Sequence, residues 1–359
     1  MGGSRRVTLK DIAASLGVSV NTVSRALADK DSVGEDTRAR IKAEAQRLGY
    51  VPNSMARSLV LGSAMTLGLV ITNPSNPFYS QLISTVEQRG RACGYSLMLL
   101  VTEESPEADQ RAAEALLRWG VDGALVVPVQ SDGQHWERLN ESGVPLVLLN
   151  RDFPDLALDF VGVDYEHGAY EATRHLIEGG AKSLCLMEED LPISPVEQRT
   201  AGFRRALAEA GIEPSRDPVL SVPTRRRESQ ALPWEPADAY RLAQDIVAGG
   251  DLPDAIMVGN DYFALGVYRA LSEAGLRVGE NVLVGGFGDH PFAAYLTPAL
   301  TTVRLPVAEI GTTAVDVLLK RIQGGTDHQA EKRHERCELA VRASSRATVR
   351  ASTSEDTTT

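Results

Sequence analysis

Val7-Thr8-Leu9-Lys10-Asp11-Ile12-Ala13-Ala14-Ser15-Leu16-Gly17-Val18-Ser19-Val20-Asn21-Thr22-Val23-Ser24-Arg25-Ala26-Leu27 is the stretch from which the organisation of the chain follows. Thr8 stands where a hydroxyl caps the first turn of a helix, and the carboxylate of Asp11, three residues on, is placed to reach back to it. Leu9, Ile12, Ala13 and Leu16 fall on one helical face. Gly17 then ends the helix with a residue that accepts positive φ. Ser19 caps a second helix, in which Val20, Val23, Ala26 and Leu27 recur at helical spacing while Asn21, Thr22, Ser24 and Arg25 form a polar face. A third helix is predicted from about Glu35 to Leu48, with Ile41, Ala45 and Leu48 inward and Gly49 as its stop. Two short helices joined by a Gly-Val-Ser turn are the plan of a helix-turn-helix. Its second helix fits the major groove, where Arg donates twice to guanine and Asn pairs with adenine. A three-helix bundle whose polar face is merely solvated would satisfy the same pattern.

Charge favours the first reading. The chain of 359 residues carries 37 basic and 48 acidic side chains, net −11, yet residues 1–62 sum to +4 and the remainder to −15. A basic module that meets a polyanion, joined to an acidic body, fits that asymmetry. With 43 % hydrophobic and 24 % charged residues the composition is that of a soluble globular protein. No run approaches the roughly 18 apolar residues of a membrane span. The N-terminus lacks the apolar core of a secretion signal. Cys93, Cys185 and Cys337 fit neither a disulfide framework nor a zinc pattern. The expected location is the cytoplasm, at the nucleoid.

Residues 7–27 resemble the DNA-binding signature of the LacI/GalR family of bacterial repressors, and the likeness continues through Leu48-Gly49-Tyr50-Val51-Pro52-Asn53 and Ala56-Arg57-Ser58-Leu59. The resemblance implies that Val20, Asn21 and Arg25 read bases, with Thr8, Ser19, Thr22 and Ser24 also at the DNA. Val20 offers only apolar contact, such as to a thymine methyl. After Pro52, Asn53 or Ser54 can cap the short run Met55–Val60, which is too short to be a stable helix by itself. Read alone, this run is a flexible linker with a leucine packed on the body. The resemblance implies a hinge helix that enters the minor groove as a pair, with Asn53 and Ala56 at the DNA and Leu59 as a wedge that bends the duplex. Two heads about 34 Å apart on one DNA face require a homodimer and a near-palindromic operator.

Beyond residue 62, apolar runs alternate with amphipathic segments. Strands are predicted at Thr66–Ile71, Ser96–Val101, Gly123–Val127, Pro145–Leu149, Ser183–Met187, Val219–Val222, Ala255–Val258 and Val282–Phe287. Helical patterns cover Tyr79–Cys93, Glu107–Trp119, Ala169–Glu178, Gln198–Ala210 and Ala237–Val247. This alternation argues for parallel sheets covered on both faces, with ligands at the carboxyl ends of the strands. Asn73–Tyr79, Arg199–Phe203, Gly259–Asp261 and Thr297–Val303 resemble landmarks of the same family's periplasmic-binding-protein-like effector domain.

The fold expected is therefore α/β: an all-α helix-turn-helix head (1–50), a hinge (51–62), and a two-lobed effector and dimerisation domain (63–346). Lobe 1 would comprise about 63–162 and 292–323, and lobe 2 about 163–291 and 324–346. The chain would cross between lobes near Val163, Pro291 and Gly324, and end in a disordered tail (347–359).

The resemblance maps Phe78, Tyr79, Asn150, Arg199, Trp234, Asn260 and Asp289 onto effector contacts. Other readings stand beside these: Phe78 as core, Asn260 as a helix cap, Arg199 in a helix-surface ion pair. Departures from the family pattern occur at Gly288, where sugar-binding relatives carry Asp and Asp289 comes one residue late. Glu188–Pro195 replaces a small Gly-Pro loop, and Thr224–Pro236 is longer than usual. Its Arg225-Arg226-Arg227 reads as a solvated loop or, more sharply, as a receptor for an anion. These changes count against a simple monosaccharide. The charged stretch Asp327–Glu335, with His328 and His334, reads as surface, and no metal or cofactor is expected. No nucleophile–base pair or phosphate loop points to an enzyme. The expected function is a DNA-binding transcriptional repressor controlled by a small-molecule effector, a carbohydrate or related metabolite, with no membrane partner. The alternative is a solute-binding protein of similar body without DNA function.

Overall fold

The structure, a computed structural model, describes residues 7–27, 32–50, 63–224, 226, 234–324 and 329–346. The expected hinge, with Asn53, Ala56 and Leu59, lies outside the described residues, as do Arg225, Arg227, His328 and the tail from 347. The chain divides into two compact units at Ala64/Met65.

The first unit holds helices α1 (Leu9–Leu16), α2 (Val20–Leu27) and α3 (Glu35–Arg47). The Thr8 N–H and hydroxyl each donate to the Asp11 carboxylate at 2.7 Å, so the carboxylate does reach back to the start of α1. Gly17, at φ +64°, closes it. Ile12, Ala13, Val23, Ala26, Ile41 and Ala45 form a core among the three helices, with Leu48 packed on its edge. The head thus buries its apolar stripes internally and leaves the polar side of α2 facing out.

The second unit contains two six-stranded sheets. The first has the order β11-β5-β4-β3-β1-β2, built from β1 (Thr66–Ile71), β2 (Ser96–Val101), β3 (Gly123–Val126), β4 (Leu146–Leu149), β5 (Asp159–Val163) and β11 (Lys332–Glu335). The second has the order β12-β10-β9-β8-β6-β7, from β6 (Leu184–Asp190), β7 (Val219–Pro223), β8 (Ala255–Val258), β9 (Leu283–Gly288), β10 (Thr301–Arg304) and β12 (Glu338–Ala340). Among the described residues all strand pairings are parallel except β10 with β12. The helices are α4 (Pro77–Ala92), α5 (Pro106–Trp119), α6 (Gln134–Glu141), α7 (Tyr165–Glu178), α8 (Ser194–Glu209), α9 (Pro236–Gly249), α10 (Asp261–Glu273) and α11 (Val307–Gly324).

Coverage on both faces explains the apolar runs. Leu67, Leu69 and Ile71 of β1 pack with Leu82 and Val86 of α4 and Ile310 and Leu318 of α11. Val70 points the other way, toward Leu116 of α5 and Trp136 of α6. β8 repeats the division, with Ala255 and Met257 in one cluster and Ile256 and Val258 in another. Among the described residues no helix is long and apolar enough to cross a membrane.

The chain leaves the first sheet after Val163, but the later passages differ from expectation. β10 still pairs with β9, so the return falls at Leu305-Pro306 rather than near Pro291. Pro291–Tyr295 is a 3₁₀ turn that folds back on its own lobe, Leu300 donating to the Ala293 carbonyl at 2.8 Å. The last passage lies at Arg336-Cys337 rather than near Gly324, because β11 pairs with β5 in the first sheet. Asp159 fixes that arrangement by accepting from Arg321 and from the Glu331 N–H at 2.6–2.7 Å. The stretch read as surface is therefore in part a strand: Lys332, Arg333 and Glu335 are half-buried, His334 exposed.

Candidate functional site

Two surfaces carry the residues singled out from the sequence. On the head, the Ser19 hydroxyl accepts the Thr22 N–H at 3.0 Å and shares a 2.8 Å hydrogen bond with the Thr22 hydroxyl. Ser19 is thus the cap of α2. Val20, Asn21 and Arg25 are exposed, while Thr22 and Ser24 are half-buried. Asn21 and Arg25 line a concave face with Ser19, Thr22, Ser32, Gly34 and Thr37. Exposed Thr8 is occupied by the Asp11 carboxylate.

In the body, six of the seven expected effector residues come together. Phe78, Tyr79, Asn150, Arg199, Trp234 and Asn260 line a cleft between the carboxyl ends of the two sheets. Asp289 is not brought there. Its carboxylate receives Arg304 at 2.8 Å and Arg342 at 2.7 Å, which tie the end of β9 to the end of β10 and to the chain after β12. Phe78 and Tyr79 meet edge to face at 5.3 Å and belong to the core as well as the cleft. Asn150, at φ +61°, accepts the Tyr165 hydroxyl at 2.8 Å. Asn260 caps α10 by accepting the Tyr262 N–H at 3.0 Å and still faces the cleft.

The interior of the cleft is filled by ion pairs that the sequence reading did not assemble. Arg199 does not pair on the helix surface; its Nε and Nη2 donate to buried Glu188 at 2.8 and 2.9 Å. Its guanidinium lies 5.2 and 5.4 Å from the Tyr165 and Phe287 ring centroids. Arg226, read as part of a solvated loop, is buried instead. It donates to Glu189 at 2.7–2.9 Å, reaches Glu104 of the opposite lobe at 3.4 Å, and packs 5.1 Å from the Trp234 ring. Arg151 donates twice to the same Glu104, at 2.6 and 2.8 Å.

Burial opposes the charge of Arg199 and Arg226, and the facing carboxylates override it, raising both guanidinium pKa values. Burial likewise would raise the Glu104 carboxyl, but Arg151 and Arg226 hold it at about 2. Three guanidiniums are thus matched by three carboxylates, and a void of about 50 Å³ is left. Ser194 of the second lobe also bridges the lobes, its N–H donating to Gln130 at 2.7 Å and its hydroxyl accepting the Asp152 N–H at 3.4 Å. Among the described residues no cluster of three or more metal-ligating side chains exists.

A helix-turn-helix head joined in one chain to a two-lobed solute-binding body defines a class of ligand-responsive regulators, and comparison with known proteins specifies the family. Residues 8–53 match the model for bacterial regulatory proteins of the lacI family, and residues 64–340 that for periplasmic binding proteins and the sugar-binding domain of the LacI family. The chain belongs to the LacI family. It is 32 % identical over 335 residues to the ribose operon repressor of Escherichia coli K12, covering 90 % of this chain and 95 % of that protein. It is 30 % identical over 330 residues to the HTH-type transcriptional repressor PurR of Photobacterium profundum, covering 92 % and 94 %. The lac repressor dimer bound to operator and the anti-inducer ONPF superposes with a TM-score of 0.84 at 26 % identity, over 96 % of this chain and all of that one. A complex of the regulator CelR with cellobiose gives 0.69 at 27 % identity, over 94 % and 100 %.

Proposed function

We propose that this chain is a dimeric, cytoplasmic transcriptional repressor, bound at the nucleoid to a near-palindromic operator and controlled by a small metabolite of the carbohydrate class or a relative of it. The observation that carries this reading is the exposed face of Val20, Asn21 and Arg25 on a head whose own core is already complete. An outward Asn in the first turn of a groove-sized helix and an outward Arg in its last turn supply base-edge hydrogen bonds. The hinge residues Asn53, Ala56 and Leu59 are assigned to the minor groove on family grounds.

The effector is assigned to the cleft lined by Phe78, Tyr79, Asn150, Arg199, Trp234 and Asn260. Contacts that bridge the lobes there, Arg226 to Glu104 and Ser194 to Gln130, give it a way to act. A ligand that rearranges them favours one lobe angle over another, and its differential affinity for the two states sets the response. No catalytic step is assigned to the cleft.

The test is retention of labelled promoter fragments by the full chain at several salt concentrations. Retention of a particular fragment that weakens steeply with salt supports the reading, since neutralised phosphates release counterions. Equal retention of all fragments, or none, refutes it.

A further inference from the structure

The loop after β9 presents the cleft with a polar atom that the described residues leave unsatisfied. Nε2 of His290 is buried, lines the cleft and has no hydrogen-bond partner among the described residues. The residue as a whole is only 8 % exposed. It is held firmly. The His290 N–H donates to buried Asp261 at 2.9 Å. The ring packs against Tyr262, Phe292 and Trp234 at centroid distances of 5.2, 5.8 and 6.4 Å. Gly288, at φ +132°, leaves the near side of the ring bare; a Cβ there would stand 3.0 Å from Nε2. Buried polar atoms in folded proteins are almost always paired, and an unpaired one facing a cleft marks a place where a bound molecule completes the hydrogen bond.

We propose that His290 is a specificity-determining ligand contact, its Nε2 hydrogen-bonding a hydroxyl of an uncharged, polyhydroxylated ligand seated beside the Trp234–Tyr262 wall. This rests on the assignment of the cleft as the effector site. Charge balance selects the ligand class: Arg151, Arg199 and Arg226 are already bonded to Glu104, Glu188 and Glu189, so an anion would have to displace a carboxylate. The imidazole itself adds no charge at neutral pH, because burial pushes it down to about 4. A neutral imidazole nitrogen either donates or accepts, according to tautomer, and a hydroxyl answers both, whereas a phosphate oxygen can only accept. With about 50 Å³ of void beside these groups, a sugar enters only as the sheets part.

The experiment is isothermal titration of the full chain with D-ribose, D-glucose, cellobiose, D-ribose 5-phosphate and hypoxanthine. It is repeated on His290→Phe, which keeps a ring but removes Nε2, and on His290→Gln, which restores a polar atom. At least one neutral sugar is expected to bind the unaltered chain. His290→Phe is expected to weaken that sugar tenfold or more while melting no lower in its absence, and His290→Gln to recover part of the loss. Unchanged affinity in His290→Phe overturns the contact. Tighter binding of ribose 5-phosphate or hypoxanthine than of every neutral sugar overturns the ligand class. Failure of all five probes to bind the unaltered chain is a different result: it overturns the effector-site assignment, and the role of His290 falls with it.

Discussion

Glu104→Gln tests the electrostatics of the cleft most severely. The carboxylate is 2 % exposed, lies just beyond β2 at φ +56°, and receives Arg151 twice and Arg226 once. Burial would raise its pKa, yet the two guanidiniums lower it from 4.5 to about 2. That depression corresponds to about 3 kcal/mol of native-state stability. Because the folded value lies below the unfolded one, this contribution is complete above pH 4.5 and is lost as pH falls toward 2. Removing one partner of a buried pair costs about 3–5 kcal/mol, since the other charge is left uncompensated. Arg151 is fully buried and would keep only the Pro128 carbonyl at 3.1 Å and the new amide oxygen. Glutamine preserves an acceptor, so a loss of about 3 kcal/mol at pH 7 is expected, the lower end of that range. Urea unfolding of both proteins at pH 7, 5 and 3, with slopes compared to confirm the same transition, reads it out. The gap should be full at pH 7 and narrow between pH 5 and 3. A gap below about 1 kcal/mol at pH 7, or one indifferent to pH, would show that the Glu104 carboxylate does not hold these guanidiniums in place.

Arg25→Ala should cost about 1–3 kcal/mol of operator affinity and relax preference at one base pair, as read by binding to a set of singly substituted operators. Leu59→Ala, in the hinge outside the described residues, should reduce operator bending in a gel-phasing assay; equal bending would remove the wedge role. Arg199→Met strands Glu188 and should destabilise the body by about 3–5 kcal/mol. Adding Glu188→Gln should restore most of that stability without restoring the operator's response to a binding sugar. A restored response would move the ligand away from Arg199.

Most central parallel strands were legible because their positions are largely apolar whichever way they point, but β5, buried along its whole length, was not among the strands predicted. β1, β2 and β8 have the ends that the sequence predicts. β11 was not legible, since Lys-Arg-His-Glu at a sheet edge has the composition of a surface loop; charged edges discourage pairing with other chains. The missed passages between lobes follow from the same strand and from β10, whose placement depends on partners far away in the chain.

The cleft divides in the same way. Aromatic and amide residues that follow strand ends were identifiable from motif and position. The buried charges were not, because Glu104 meets Arg151 and Arg226 across 47 and 122 residues of chain. Isolated, each resembles a solvated side chain. Their signals in the sequence were oblique: two glutamates directly after an apolar strand, and an arginine run in an unusually long connection. His290 carried no signal, as its interest lies in a hydrogen bond that no described residue makes to it.

Occupancy of the cleft and grip on DNA are expected to be coupled. Fluorescence anisotropy of a labelled operator, titrated with the full chain in the absence and presence of a saturating sugar that binds it, measures that coupling directly. The two dissociation constants are expected to differ by about 5-fold to 150-fold, with the sugar's own affinity changed by the same factor when operator is bound. Identical operator affinity in both titrations, with the sugar demonstrably bound, would contradict it.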